Sequence, residues 1–234
     1  CEKAGVIRLV PDVTAATPPS TTFLDLATLV NGRTGEDFLP DPNGESGLLS
    51  VAFHPQYATN RCFYVFYSVT KGTSNYQRVS RFKTKASDPN SADTSEEVIL
   101  IDQIDHATNH NGGDMHFGPD GYLYISVGDE GGSSDNMSNS QRIERDLFAG
   151  ILRIDVDKKA GNIEPTTHGA IPRDGALARF SIPIDNPFVH TSLGGTWNGT
   201  YNGANVPLAS VRREFWATGL RNPWRMGFDP ATGA

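Results

Sequence analysis

Cysteine is nearly absent: Cys1 and Cys62 are the only two in 234 residues. They could form one disulfide, stay as two buried thiols, or pair elsewhere, and no disulfide framework can be built from them. Our reading is no structural disulfide. No apolar run approaches the length of a bilayer span and no charged-then-apolar leader opens the chain, so no membrane span is expected. An excess of basic residues is lacking too. Twenty Lys and Arg stand against 27 Asp and Glu, a formal net charge of -7, which argues against nucleic acid or an anionic membrane as the main partner. HExxH, CxxC, P-loop, GxSxG and complete EF-hand patterns are all missing, so zinc hydrolysis, nucleotide phosphate binding and serine-hydrolase chemistry have no support. "DVDKKAGN" from Asp155 shares only its first acids with a calcium loop.

What is present is punctuation and short apolar runs. The chain is 37% hydrophobic and 20% charged, which suits one domain, residues 1–234, able to bury a sizeable core. Its 24 glycines and 15 prolines fall between runs of Val, Ile, Phe and Tyr, which reads as all-β with little helix. One unit recurs, a strand that runs into Phe-x-Pro, turns, and is followed by a second strand. It appears as "LLSVAFHPQYATNRCFYVFYSV" and "DMHFGPDGYLYISVGD", and a third copy opens at "WRMGFDPATGA" with Phe228 and Pro230. Hairpins repeated at wide spacing indicate a β-propeller, each copy supplying the inner strands of a blade.

The nearly continuous apolar run Tyr122 to Val127 predicts a strand covered on both faces. Tyr76 to Thr84, Glu96 to Gln103 and Gly150 to Asp157 predict half-exposed outer strands. Asn162 to Ser210 has little period of either kind and predicts long connections. At roughly 40 to 50 residues per blade the chain holds at most about four or five. It opens in mid-strand at "CEKAGVIRLV" and closes in mid-hairpin at Gly233-Ala234, so the expectation is a fragment of a closed six-bladed ring, incomplete at both ends.

Five segments, in order, resemble the soluble PQQ-dependent glucose/sorbosone and aldose sugar dehydrogenases: "GESGLLSVAFHP" (44–55), "NHNGGDMHFGPDGYLYISVGD" (109–129), "GILRIDVD" (150–157), "FSIPIDNPF" (180–188) and "EFWATGLRNPWRMGFDP" (214–230). The pairing of "HNGGD" with "GLRNPWR" is more specific than either motif. The resemblance implies a six-bladed propeller that binds pyrroloquinoline quinone (PQQ) and Ca²⁺. The implied Ca²⁺ ligands, and further basic residues gripping PQQ, lie beyond residue 234, so no metal ligand is expected within this chain.

His110 is the candidate base. Imidazole accepts a proton near neutral pH, and Gly112 and Gly113 let backbone and ligand approach closely. The competing reading is a turn histidine bonded to backbone. In the resembled family the histidine of this motif removes the anomeric hydroxyl proton. Asp129 resembles the carboxylate that orients it, or else caps a turn before Gly131 and Gly132. Arg221 and Asn222 match the family's cofactor-contacting pair, and a guanidinium suits an anionic cofactor. Arg212, Arg213, Arg221 and Arg225 read as a basic cluster, some of it solvated. Glu45 stands where glucose-oxidising members carry a substrate-contacting glutamine, and Asn109 replaces an aspartate of some members; both are substrate-binding candidates. Trp224 could stack near a ring, although an aromatic after Asn-Pro more often packs between blades; His54 and His116 read as structural, and His106, His168 and His190 as turn residues without ligand spacing.

Three functions compete. The first is oxidation of an aldose at its anomeric carbon to the lactone, with electrons passed through PQQ to an external acceptor, in the periplasm or outside the cell. The second is a non-catalytic binding propeller resembling the Hedgehog-interacting proteins, which share an "HNGG" strand unit. The third, weaker, is a Ca²⁺-dependent lactonase.

Overall fold

The structure is a computed structural model that describes residues 1–41, 43–229 and 231–233. Two antiparallel sheets dominate it. The first is built from β3 (Glu36–Phe38), β4 (Leu48–Phe53), β5 (Cys62–Lys71), β6 (Ser74–Lys85) and β7 (Asp88–Asp105), with β1 (Val6–Leu9) and β2 (Thr21–Asp25) paired beside it. Two short helices join the strands, α1 (Leu26–Asn31) and α2 (Tyr57–Asn60). α1 begins where the Asp25 carboxylate accepts the Thr28 N–H at 2.9 Å, and it buries Leu26 and Val30.

β4, β5, β6 and β7 run up and down in chain order, each paired with the next. β3 pairs with the far end of β5. The second sheet has the order β8 (Met115–Phe117), β9 (Leu123–Val127), β10 (Gly150–Ile154), β15 (Phe215–Thr218). Between its third and fourth strands lies a long connection whose strands are two-residue hairpins, β11 (Arg173–Asp174) with β12 (Leu177–Ala178) and β13 (Thr200–Tyr201) with β14 (Ala204–Asn205), and which includes a 3-10 turn at Thr191–Leu193. These are two successive propeller blades, and the first two strands of each are the repeated unit of the sequence.

The apolar runs are explained by burial on two sides. Phe63, Val65, Tyr67 and Val69 of β5 face one core with Leu24, Leu26 and Val30. Cys62, Tyr64 and Phe66 face the other, shared with Leu123, Ile125 and Val127 of β9. Each fully buried side chain of this kind contributes about 1.5–3 kcal/mol. Cys62 is buried and Cys1 exposed, and both are free thiols.

Two expectations need correction. β10 is not half-exposed, because β9 and β15 flank it and four of its five residues are buried. Asn162 to Ser210 is the long connection expected, and its Phe180, Ile182 and Val189 are completely buried in the second core. Arg153 of β10 fastens it, donating to Asp120 at 2.8 Å, Asp185 at 2.7 Å and Asn186 at 2.9 Å. The third copy of the repeat forms no strand among the described residues, although Met226 N–H donates to Asp114 at 2.9 Å, and its Pro230 and the terminal Ala234 lie outside them.

A charge network crosses the first blade. The wholly buried Arg78 of β6 forks onto Glu36 of β3 at 2.9 and 2.8 Å and onto Asp102 of β7 at 2.9 Å. Hydrogen bonds from that guanidinium hold the Glu36 carboxyl down at about 2.

Candidate active site

The pairing registers put several chain segments at one end of both blades. Leu48, which starts β4, lies opposite Tyr67 near the end of β5, and Asn75 near the start of β6 lies opposite Asp105, the end of β7. In the second blade the start of β8 and the ends of β9 and β15 fall at one edge, with Val127 and Thr218 both opposite Gly150. The loops ahead of β4 and β8 and the segment after β15 therefore converge.

One residue ties the three together. Asn222 donates from Nδ2 to both Glu45 oxygens at 3.1 Å, and its Oδ1 accepts the Gly112 N–H at 3.1 Å. Glu45 also accepts the Asn111 N–H at 3.0 Å. Both candidates are thus engaged by protein groups: Glu45 is half-buried beside the histidine loop, and both polar ends of Asn222 are taken. Asn109 is exposed on that loop, against Gly131.

His110 and Asp129 meet. His110 Nδ1 lies 2.6 Å from Asp129 Oδ1, and the residues are 5% and 2% exposed. The same carboxylate oxygen accepts the Gly131 N–H at 3.0 Å. An ionised carboxylate only accepts, so the imidazole proton sits on Nδ1 and Nε2 keeps its lone pair. Nε2 has no hydrogen-bond partner among the described residues. That is the tautomer a general base needs.

The backbone that achieves this is unusual. His110 has φ 60°, the left-handed region that β-carbon-bearing residues seldom adopt. Gly128 is required for proximity, because a Cβ there would stand 1.7 Å from the His110 carbonyl oxygen. The Asp129 N–H is bonded to the Arg221 carbonyl at 2.8 Å, which brings the "GLRNPWR" segment against the dyad. The Arg221 side chain is exposed, and one Nη donates to Gly132 O at 3.3 Å.

The predicted arginine cluster divides. Arg212 is buried and donates to the carbonyls of Ser210 and Thr166, and Arg213 donates to Leu208 O, so neither shares a partner with Arg221. Burial lowers both guanidinium values and raises that of the fully buried Glu214 carboxyl, which follows them in sequence. Trp224 is 42% exposed rather than packed between blades, with the Arg225 guanidinium 6.0 Å from its ring centre. His54 is structural: its ring accepts the Gln56 N–H at 3.0 Å and its Nε2 lies 3.1 Å from Asp157. Asp155 has its carboxylate filled by Asp157 N–H, Asn162 and Ser181 Oγ.

Sequence reasoning missed Glu130, Asn139 and the role of His106. Glu130 is 2% exposed and accepts the His106 N–H at 3.0 Å, the His106 ring Nδ1, and Asn139 Nδ2 at 2.8 Å. The available signal was the acid pair Asp129-Glu130 before Gly-Gly, which offers two carboxylates to two histidines four residues apart. Asp105 was missed as well: burial pushes its carboxyl up to about 6, although Gln77 donates to it at 2.9 Å.

Comparison with known proteins places this geometry in a family. The HIPL2 protein of Arabidopsis thaliana is 30% identical over 94% of this chain and 32% of its own length. The Hedgehog-interacting protein of Homo sapiens is 29% identical over 97% and 28%. The aldose sugar dehydrogenase YliI of Escherichia coli is 26% identical over 82% and 40%. The chain spans about a third of the length of the first two. Among solved structures, the apo soluble aldose sugar dehydrogenase of Escherichia coli matches with TM-score 0.59 and 20% identity, over 99% of this chain and 50% of that one, which establishes the six-bladed propeller fold and this chain as an arc of it. The glucose/sorbosone dehydrogenase family model matches residues 19–176, and the chain belongs to that family.

Proposed function

We propose that the full-length protein oxidises an aldose at its anomeric carbon to the lactone, with PQQ as the acceptor and an external carrier downstream, in the periplasm or outside the cell. The single observation that carries this reading is the buried His110–Asp129 couple, held with Nε2 unpaired on a left-handed turn.

His110 Nε2 accepts the proton of the anomeric hydroxyl as the C1–O bond becomes a carbonyl. Asp129 holds the ring on its Nδ1 side and stabilises the imidazolium formed, without itself taking the proton. The two-electron acceptor for the C1 hydride is what PQQ supplies when bound. The residues present fit such an anionic group at Arg221: its guanidinium is exposed beside the dyad, and Gly132 O is its only hydrogen-bond partner among the described residues. Asn222 contributes by joining the three loops. Among the described residues no three His, Cys, Asp or Glu side chains converge as a metal site, so no Ca²⁺ ligand is assigned.

The binding-propeller reading has its own support. HIPL2 and the Hedgehog-interacting protein are more identical to this chain than the aldose sugar dehydrogenase YliI is. Titrating PQQ into the full-length protein with Ca²⁺ present, followed by absorbance and by dye-linked oxidation of an aldose panel, separates the two. Saturable binding with oxidation is expected. Absence of both assigns the protein to the binding class.

A further inference from the structure

Asp129 is followed by a second acid that takes no direct part in the oxidation. Glu130 is 2% exposed, and burying a carboxylate is costly unless it is paired and hydrogen-bonded. Its backbone is strained as well: φ is 74°, in the left-handed region, one residue after the carboxylate that holds His110. Such a conformation in a residue other than glycine persists only where its surroundings over-determine it. They do so here. Glu130 accepts the His106 N–H at 3.0 Å, the His106 ring Nδ1, and Asn139 Nδ2 at 2.8 Å. The same amide nitrogen donates to the Asp129 carbonyl at 3.2 Å, and Asn139 is 3% exposed. Asn139 Oδ1 accepts Arg145 Nη2 at 2.8 Å, and because a guanidinium only donates, the amide is oriented one way.

We infer that Asn139 and Glu130 are positioning residues for the His110–Asp129 couple. The Asn139 amide clamps the Asp129 carbonyl and the Glu130 carboxylate across the left-handed turn, and His106 ties that turn to the loop carrying His110. Their part in catalysis rests on the dehydrogenase reading, whereas the couple they fix is present without substrate. What the clamp controls is direction. Asp129 Oδ1 meets His110 Nδ1 at 2.6 Å while taking the Gly131 N–H at 3.0 Å, and both contacts need the peptide between Asp129 and Glu130 to stay turned. The Asp129 carbonyl has no hydrogen-bond partner other than Asn139 among the described residues. Since the direction of a carboxylate fixes the tautomer of its histidine, a loosened turn lets the His110 proton divide between Nδ1 and Nε2.

The test is nitrogen NMR of the imidazole rings in the full-length protein without substrate, His110 being identified by its loss in His110→Ala, together with the pH dependence of kcat for glucose. Wild type is expected to show a protonated Nδ1 and a bare Nε2 at His110. In Asn139→Ala both nitrogens are expected to move toward the average of the two tautomers. Its kcat is expected to fall about tenfold with KM unchanged, and its pH profile to shift. Should Asn139→Ala not fold, Glu130→Gln decides by the same spectrum, because it keeps the side-chain volume but turns one oxygen into a donor. A wild-type His110 spectrum in the folded variants would overturn the positioning role, since a merely structural role lowers the urea midpoint and leaves the tautomer alone. Wild-type protein that oxidises no aldose defeats the dehydrogenase reading instead, and the spectrum still decides the clamp.

Discussion

Asp129 accepts two N–H groups on one oxygen, and that decides which nitrogen of His110 is free. Asp129→Asn puts an amide where the acceptor stood and allows the opposite tautomer, so kcat for aldose oxidation is expected to fall about 10²-fold or more. Steady-state kinetics on correctly folded variant check this. Gly128→Ala places a methyl against the His110 carbonyl, for which no side-chain motion can compensate. A loss of at least about 2 kcal/mol of unfolding free energy is expected from urea titration. Asp105 gives a pH signature. Its folded value of about 6 exceeds the ordinary 3.8, so the folded chain binds more protons than the unfolded one between those values. Stability from this group therefore falls as pH rises through that window. Asp105→Asn should flatten that slope, measured as the urea midpoint at pH 4.5 and 7.

Elements show what the sequence could convey. β5 and β9 were legible because burial on both faces favours a nearly continuous apolar run, which residues 62–67 and 123–125 supply. The repeated hairpin was legible because Phe53 and Phe117 each end the first strand of a blade. β10 was misjudged because its Arg153 looks like a solvent-facing residue, and only the acids Asp120 and Asp185, more than thirty residues away, reveal its burial. His110 and Asp129 were found through their motif, whereas Glu130 and His106 belong to no motif and meet only in space. Arg78 poses a similar long-range problem across three strands. Arg78→Met leaves Glu36 and Asp102 without their main partner and is expected to cost about 3–5 kcal/mol. The Glu36 contribution is present above its ordinary 4.5 and is lost as pH falls toward about 2. The acid limb of wild-type denaturation should therefore lose part of its steepness in the variant.

At the scale of the molecule, two blades put three loop segments around one polar tie, Asn222 with Glu45 and Gly112. Phe53 on the first blade and Trp216 on the second are over 40% exposed. Sheet faces of this kind pack against neighbouring blades in a propeller. The most direct measurement is the rate of PQQ-dependent aldose oxidation by the full-length protein across pH, for wild type, Asp129→Asn and His110→Ala. The wild-type rate is expected to rise with deprotonation of one group, to be much smaller in Asp129→Asn, and to show no such rise in His110→Ala. A His110→Ala protein that keeps the wild-type rate and pH profile would contradict the assignment of His110 as the base.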